Sequence, residues 1–229
     1  MAASSDLLPL FPLGHVLMPG CPLPLRVFEP RYRRLLADVT GEDGPRRFGV
    51  PTLLAGPEVD SGFDDAAPRL ADIGTVAEIL EMHPQPDGTV NLLTGGSSRF
   101  RIERIVETTA PYLEAEVSYL DELTGQLPEA LPDQARALAV EYKRLIGVAN
   151  GEEDDPRQQY PTDPILLSYR LATESPLSQH DHQDLLEDDT ATSRLLRVQR
   201  VLRREVVLLR RTRSIAVSPA VLRAVLGPN

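Results

Sequence analysis

The spacing of apolar residues divides the chain into two halves. Before about residue 121 the apolar runs are short and are interrupted by prolines, as at 7–13, 23–28 and 47–55. Because proline lacks an N–H and fixes φ, these runs predict edge strands and turns and exclude helices. From about residue 124 the apolar residues recur every three or four positions, which predicts helices. The pattern therefore predicts an α+β protein, with a strand-rich half followed by a helical bundle.

One helix is predicted within the strand-rich half. Pro30 stands where the first helical turn tolerates proline, and Gly41 provides a stop signal. The apolar residues between them recur at helical spacing: Tyr32, Leu35, Leu36 and Val39. We therefore predict a helix near 30–40.

The middle of the chain predicts a loop, a hairpin and two further strands. Residues 56–72 are polar and rich in turn-forming residues, which is typical of a surface loop. The turn signal 84–88 separates two predicted strands, 73–82 and 89–93. Two further strands are predicted over 99–106 and 112–120. In the first of them Phe100 and Ile102 alternate with Arg99 and Arg101, as in a half-buried strand.

The second half predicts several helices with recognisable ends. Pro132 opens the first, whose apolar stripe is Leu138, Tyr142, Leu145, Ile146 and Ala149. After an acidic loop over 151–160, Asp163 and Pro164 form a helix start. Ser178 and Asp181 have the spacing of a capping box for a helix through Glu187.

The longest helix is predicted over about 190–213. Successive residues placed 100° apart give one apolar face, Val198, Leu202, Val206 and Leu209. The opposite face carries arginines: Arg197, Arg200, Arg204 and Arg211. Residues 218–226 predict one more short amphipathic helix.

Several segments in the first half carry a family resemblance. The chain reads LPLFPL at 8–13, VLMPG at 16–20 and LPLRVFEPRY at 23–32. Shorter pieces follow in the same order: FGV at 48–50, DIGTVAEI at 72–79, RFRI at 99–102 and PYL at 111–113. Together they resemble the Lon N-terminal domain family, the substrate-binding domain at the front of ATP-dependent Lon proteases, which also occurs as a stand-alone protein. The resemblance is specific over about 8–121 and looser over 125–213.

The resemblance implies a fold and a function. The fold would be a PUA-like β-barrel over 1–122, a helical bundle over 123–213, and a C-terminal tail with a short helix over 214–229. The function would be substrate recognition or adaptor activity through binding of unfolded or exposed apolar polypeptide segments, with an ATP-dependent protease as a further partner. A groove between barrel and bundle, lined by Leu, Pro and Phe side chains, could desolvate such a segment. The peptide-binding residues stay unknown at this stage.

Composition and charge narrow the partners. The chain has 229 residues and a formal net charge of −10, which argues against a general affinity for nucleic acid or anionic lipid. The sequence has no apolar run of membrane-spanning length, and its start lacks the pattern of a signal peptide. The lone Cys21 allows no internal disulfide and suits a reducing cytoplasm.

The single lysine argues against catalysis. A Lon-type ATPase needs a glycine-rich loop that ends in Lys and Ser or Thr, and a Lon-type protease needs a lysine base for its serine. Lys143 instead lies within a predicted helix, with no glycine loop around it. We therefore expect no catalytic residue, no cofactor, no metal and no enzymatic activity.

Three groups of residues invite a chemical reading beside a plain structural one. Thr94–Ser98 (TGGSS) could bind phosphate, but the tight turn between two strands is favoured because no helix start follows. His180, His182 and Asp184 could bind metal, but a polar capped helix start is favoured because the two histidines project in different directions. Cys21 and His15 could form a reactive pair, but a small buried cysteine is favoured.

Three further groups concern binding. The eight arginines between 194 and 213 could contact nucleic acid in a PUA-like protein, but a solvated helix face with weak ion pairs is favoured. Glu29 and Arg31 flank Pro30, where the carboxylate suits a helix start and the arginine is expected to pair with a neighbouring loop. The remaining aromatic candidates are expected in the core: Phe11, Phe28, Tyr32 and Phe100.

Overall fold

The computed structural model describes residues 6–42, 44–55, 69–150 and 160–212. The chain divides into two compact units, Met1–Asp121 and Glu122–Asn229. Most of the predicted loops at 56–72 and 151–160, and all of the predicted tail 214–229, lie outside the described residues. None of the described helices combines the length and the apolar character needed to cross a membrane.

The first unit is a β-barrel with one helix, and the second contains helices, so the α+β prediction is confirmed. The elements of the first unit are β1 (Asp6–Pro9), β2 (Pro22–Val27), α1 (Pro30–Val39), β3 (Arg47–Ala55), β4 (Arg69–Pro84), β5 (Val90–Val106) and β6 (Glu114–Tyr119). The strands follow the order β1-β6-β5-β4-β3, with antiparallel pairing throughout. Parallel bridges from Leu10 to Gly49 and from Leu13 to Thr52 join the chain after β1 to β3. These bridges close the sheet into a barrel, which removes its open edges.

β2 lies outside this closed ring of strands and pairs with the first half of β5. β5 therefore has β4 along one side, and β2 followed by β6 along the other. This arrangement requires a long unbroken strand, and it corrects the prediction of a tight turn at Thr94–Ser98. The two predicted strands 89–93 and 99–106 are one strand.

The glycine at position 96 permits this continuous strand. Gly96 donates its N–H to the Cys21 carbonyl and accepts from the Gly20 N–H, both at 2.9 Å. A β carbon on Gly96 would lie 2.3 Å from the Met18 carbonyl oxygen. The chain before β2 can therefore approach β5 this closely only where no side chain stands.

Most of the predicted aromatic core is confirmed. The rings of Phe11 and Tyr32 stack with centroids 4.0 Å apart, and Phe100 is fully buried. All four apolar residues predicted for the face of α1 are buried in the same cluster as Phe11.

Two predictions about side-chain direction in the barrel are wrong. Phe28 is 55% exposed, because the two-residue period of a strand places it on the outer face with Pro22, Pro24 and Arg26. Arg99 is predicted on the solvent-facing side of the strand, because it alternates with Phe100, but its side chain is buried. Its guanidinium donates to the Asp121 carbonyl at 3.3 Å, at the end of the first unit.

The described helices of the second unit are α2 (Leu131–Asn150), α3 (Pro164–Glu174), α4 (Gln179–Glu187) and α5 (Ala191–Thr212). The predicted N-caps are confirmed. Asp163 accepts a hydrogen bond from the Leu166 N–H, and Ser178 and Asp181 form a reciprocal capping box. These short polar side chains satisfy N–H groups that the first helical turn leaves without partners.

The predicted apolar face of α5 is confirmed, because all four of its residues are buried. The predicted stripe on α2 is only partly right. Its buried residues are Leu131, Ala135, Ala139 and Tyr142. Leu138, Leu145 and Ile146 are half-buried, and the side chain of Ala149 lies outside the described residues. The small alanines face inward because they allow α2 to pack closely in the bundle.

Candidate functional site

The outer surface formed by β2, β5 and β4 exposes apolar side chains. β5 lies between the other two strands, and paired residues on antiparallel strands present their side chains to the same face. Pro22 pairs with Gly95, and Pro24 pairs with Leu93 in the next row. Both prolines are exposed and Leu93 is half-buried. Two rows of apolar positions therefore run side by side across β2 and β5.

A β-bulge in β4 adds a leucine to this surface. The register shifts between Ile79 and Glu81, so Leu80 is the extra residue. Leu80 is 58% exposed, and its Cδ1 atom would lie 3.4 Å from a β carbon on Gly95. The leucine therefore lies against the bare backbone of the glycine. We define the apolar face as Pro22, Pro24, Leu80, Leu93 and Gly95.

The surroundings of the apolar face are polar and charged. Glu81 lies on β4 opposite Leu93. At the other end, Arg26 Nη2 lies 2.9 Å from Asp87 Oδ2 in an exposed ion pair. Phe28, two residues after Arg26, adds one more exposed apolar side chain. An exposed apolar area with a polar rim is typical of a surface that binds another macromolecule.

The edge of β2 is poorly suited to pairing with an added strand from a bound chain. In the part of the chain that the structure describes, β2 pairs only with β5. Pro22 and Pro24 occupy the first and third positions of β2, and neither has an N–H to donate to an added strand. The chemistry of the apolar face therefore favours side-chain contacts with a bound chain over main-chain hydrogen bonds.

A separate pocket of about 520 Å³ lies between α1 and the connection from β5 to β6. Tyr112 donates a hydrogen bond to Asp38 at 2.9 Å, and Arg34 Nε donates to the same carboxylate oxygen at 3.0 Å. Burial, together with the hydrogen bond to Asp38, raises the pKa of Tyr112 to about 12. These bonds tie α1 to the connection, and the polar lining offers little to an apolar ligand.

The histidines at the start of α4 make structural contacts. His182 Nδ1 lies 3.0 Å from the Ser178 carbonyl oxygen, and its Nε2 lies 3.1 Å from that of Ala172. His180 Nδ1 lies 3.7 Å from Asp184 Oδ1 near the surface. The favoured prediction of a polar capped helix start is confirmed. Among the residues that the structure describes, no three His, Cys, Asp or Glu side chains form a group that could hold a metal ion.

Three other residues singled out from the sequence are Cys21, His15 and Arg31, and their contacts in the structure indicate structural roles. The Cys21 thiol is buried, as predicted, whereas His15 is exposed. Arg31 pairs with Glu29, with Nη2 2.6 Å from Oε2, and its guanidinium lies 4.6 Å from the centre of the Tyr32 ring. In this contact Arg31 therefore pairs with Glu29, on the other side of Pro30.

The arginines of α5 fall into three environments. Arg194 is fully buried, which corrects the prediction that the whole cluster is solvated. Arg197 pairs with two carboxylates of the α4 region, and Arg210 pairs with one on α2. The remaining described arginines of the helix are exposed: Arg200, Arg203, Arg204 and Arg211.

The single lysine takes part in packing. Lys143 Nζ lies 2.6 Å from Glu174 Oε2 and 5.6 Å from the centre of the Tyr160 ring. Tyr160 donates a hydrogen bond to the same carboxylate oxygen at 3.0 Å, and its burial raises its phenol pKa. Lys143 thus joins α2 to α3 through Glu174.

Comparison with known proteins identifies the class. The model of the ATP-dependent protease La (LON) substrate-binding domain matches residues 7–204. The chain belongs to this family. It is similar to Lon protease 2 of Syntrophobacter fumaroxidans, with 29% identity over 181 residues, which are 78% of this chain and 22% of that protease. It is also similar to the Lon protease of Cytophaga hutchinsonii, with 27% identity over 92% of this chain and 26% of that protease.

Solved structures agree with this assignment. A Lon N-terminal domain protein from Xanthomonas campestris matches with a TM-score of 0.58 and 30% identity, covering 84% of this chain and 96% of that one. The N-terminal domain of the Mycobacterium avium complex Lon protease has the same fold, with a TM-score of 0.61 and 17% identity, over 86% of this chain and 98% of that one. The chain spans about a quarter of the length of the curated proteases that it matches.

Reasoning from sequence missed the apolar face. Its residues come from three strands, of which β2 is far from β4 and β5 in the chain, and the register of β5 brings them together. One local signal exists: Ile79 and Leu80 are consecutive apolar residues that lie between Glu78 and Glu81. Two adjacent apolar residues at such a position in a strand indicate a bulge or an exposed apolar side chain.

Proposed function

We propose that this chain is a non-catalytic module that binds exposed apolar segments of other polypeptides, and that the apolar face is its binding site. Membership in the LON substrate-binding domain family is the observation that carries the function. The 58% exposure of Leu80 against the bare backbone of Gly95 supports the choice of surface. A bound chain would remove these apolar groups from water, which is the main driving force of such association.

The size of the apolar face favours weak, reversible binding. Full burial of one leucine side chain contributes about 1.5–3 kcal/mol, and association itself costs at least about 4 kcal/mol. Leu80, Leu93 and two prolines therefore support an affinity in roughly the millimolar range. Such an affinity suits a module that samples many clients and passes them to a protease.

We further propose that the module works as an adaptor for an ATP-dependent protease in the cytoplasm. The curated relatives are Lon proteases, of which this chain resembles only the substrate-binding part. Lys143 supports the non-catalytic assignment because it is the only lysine and its ammonium group is engaged by Glu174. The buried thiol of Cys21 is compatible with a reducing compartment.

Binding of a labelled apolar peptide, measured by fluorescence anisotropy, tests the proposed site. Leu80→Ser should weaken the affinity about fivefold or more, because it removes the largest exposed group of the apolar face. Leu7→Ser is the matched control, since Leu7 is 50% exposed on β1. Equal effects of the two substitutions, or no binding to the unmodified protein, would contradict the proposal.

Activity assays test the non-catalytic assignment. The purified protein should hydrolyse neither ATP nor an unfolded protein substrate. ATP hydrolysis that disappears in Lys143→Ala, at unchanged thermal stability, would show that the lysine has a catalytic role.

A further inference from the structure

One face of α5 concentrates exposed positive charge. With successive residues 100° apart, Leu196, Arg200, Arg203, Arg204 and Val207 fall within an arc of about 80–100°. Arg211 continues the same face one turn later. All six side chains are exposed, whereas the opposite side of the helix is buried. The face extends over about 22 Å along the helix.

Among the residues that the structure describes, no carboxylate pairs with the arginine side chains of this face. No side-chain hydrogen bond or ion pair joins Arg200, Arg203, Arg204 or Arg211 to another residue of the described ranges. The arginines at its edges differ, since Arg197 and Arg210 reach carboxylates on α4 and α2. The contrast is notable in a chain with ten more acidic than basic residues.

This arrangement is unfavourable for the isolated helix. Arg200 lies three and four residues from Arg203 and Arg204, and Arg204 lies seven from Arg211. Like charges three or four residues apart face each other on a helix and destabilise it by roughly the amount that an opposite pair would add. A partner with negative charge would turn this repulsion into attraction.

We propose that this face, defined as Leu196, Arg200, Arg203, Arg204, Val207 and Arg211, binds an acidic amphipathic segment of another protein. Carboxylates spaced three or four residues apart on a helical partner would match the spacing of the arginines. Apolar side chains of the partner would cover Leu196 and Val207, which are 45% and 47% exposed. The partner is a second protein and is distinct from the client bound at the apolar face.

The composition of the face favours a polypeptide over nucleic acid. Leu196 and Val207 offer apolar contacts that a phosphate backbone cannot use. The face has no aromatic side chain on which bases could stack. The net charge of −10 also opposes the approach of a long polyanion more strongly than that of a short acidic segment.

Fluorescence anisotropy with two matched helical peptides tests this proposal. One peptide repeats Glu and Leu at helical spacing, and the other has Gln in place of every Glu. The protein variants are the triple substitution Arg200→Gln, Arg203→Gln and Arg204→Gln, and the control Arg101→Gln, an exposed arginine on β5. Circular dichroism at 222 nm checks that each variant keeps its helices.

The glutamate peptide should bind the unmodified protein, and the triple variant should bind it at least fivefold more weakly. The control should change the affinity less than twofold, and added salt should weaken binding because exposed ion pairs are screened. Equal binding of the two peptides, or unchanged binding by the triple variant, would overturn the proposal. Tighter binding of a poly-uridine 20-mer than of the glutamate peptide would also overturn it and assign the face to nucleic acid.

Discussion

Arg194 Nη2 lies 3.4 Å from Oε2 of Glu122, the first residue of the second unit. The guanidinium also donates to the Ser168 hydroxyl at 2.9 Å and to the Asp188 carbonyl at 2.8 Å, and it lies 4.0 Å from the centre of the Tyr169 ring. Tyr169 donates to the same Glu122 oxygen at 2.7 Å. One buried arginine thus fixes the start of the second unit to α3 and α5.

Replacing this arginine should strongly destabilise the second unit. Arg194→Met removes the positive charge beside the Glu122 carboxylate and the N–H that the Ser168 hydroxyl accepts, and breaking a buried pair costs about 3–5 kcal/mol. Urea unfolding measures the change in the free energy of unfolding. Arg200→Met, at an exposed position of the same helix, should change it by less than about 0.5 kcal/mol. Similar effects of the two substitutions would show that burial of Arg194 contributes little.

The adjacent glycines of β5 should respond differently to alanine. Gly96→Ala would place a β carbon 2.3 Å from the Met18 carbonyl oxygen, so the chain before β2 must move. We expect a loss of at least about 2 kcal/mol in the free energy of unfolding. Gly95→Ala brings its β carbon only to 3.4 Å from Leu80 Cδ1 and should be tolerated. Thermal unfolding of the two variants compares them directly, and equal melting temperatures would argue against the close approach at Gly96.

Acid should destabilise the protein through His182. Burial lowers the pKa of His182, although the carbonyls of Ala172 and Ser178 oppose this effect. A histidine whose pKa is lower in the folded state stabilises the fold above its unfolded pKa of about 6.5, and this contribution is lost as the pH falls towards the folded pKa. We therefore expect the free energy of unfolding to decrease between about pH 6.5 and pH 5.

His182→Gln should make this decrease smaller, and His180→Gln, at an exposed position of the same helix, is the control substitution. NMR titration of the His182 Cε1–H signal provides the direct measurement. A pKa for His182 at or above the unfolded value of about 6.5 would contradict the expectation.

The capping box of α4 should stabilise the bundle. Ser178→Ala removes the oxygen that accepts from the Asp181 N–H at 3.1 Å, and loss of an N-cap costs about 1 kcal/mol. Ser178→Thr keeps a capping hydroxyl and should restore most of the stability. Chemical unfolding distinguishes the two variants, and equal stabilities would mean that the cap contributes little in this context.

The apolar face shows where tertiary structure decided the outcome. Leu80 is exposed because a bulge in β4 turns it outward, and it lies beside Gly95 because of the register between β4 and β5. The adjacent apolar residues Ile79 and Leu80 indicate a bulge, but the register that places Leu80 beside Gly95 depends on both strands. The same reason applies to Phe28, whose direction depends on which face of β2 packs against the barrel.

The sequence by itself determined the helix ends, the buried faces of α1 and α5, and the change from strands to helices. Caps and helical periodicity depend on residues within one or two turns of each other, so the local sequence contains the whole signal. Only the tertiary structure decided that β5 runs unbroken through Gly96, and that Arg194 is buried while Arg200 on the same helix is exposed. These outcomes depend on contacts between distant segments, and the burial of a charge is stable only where its partners, here Glu122 and Ser168, are brought to it by the fold.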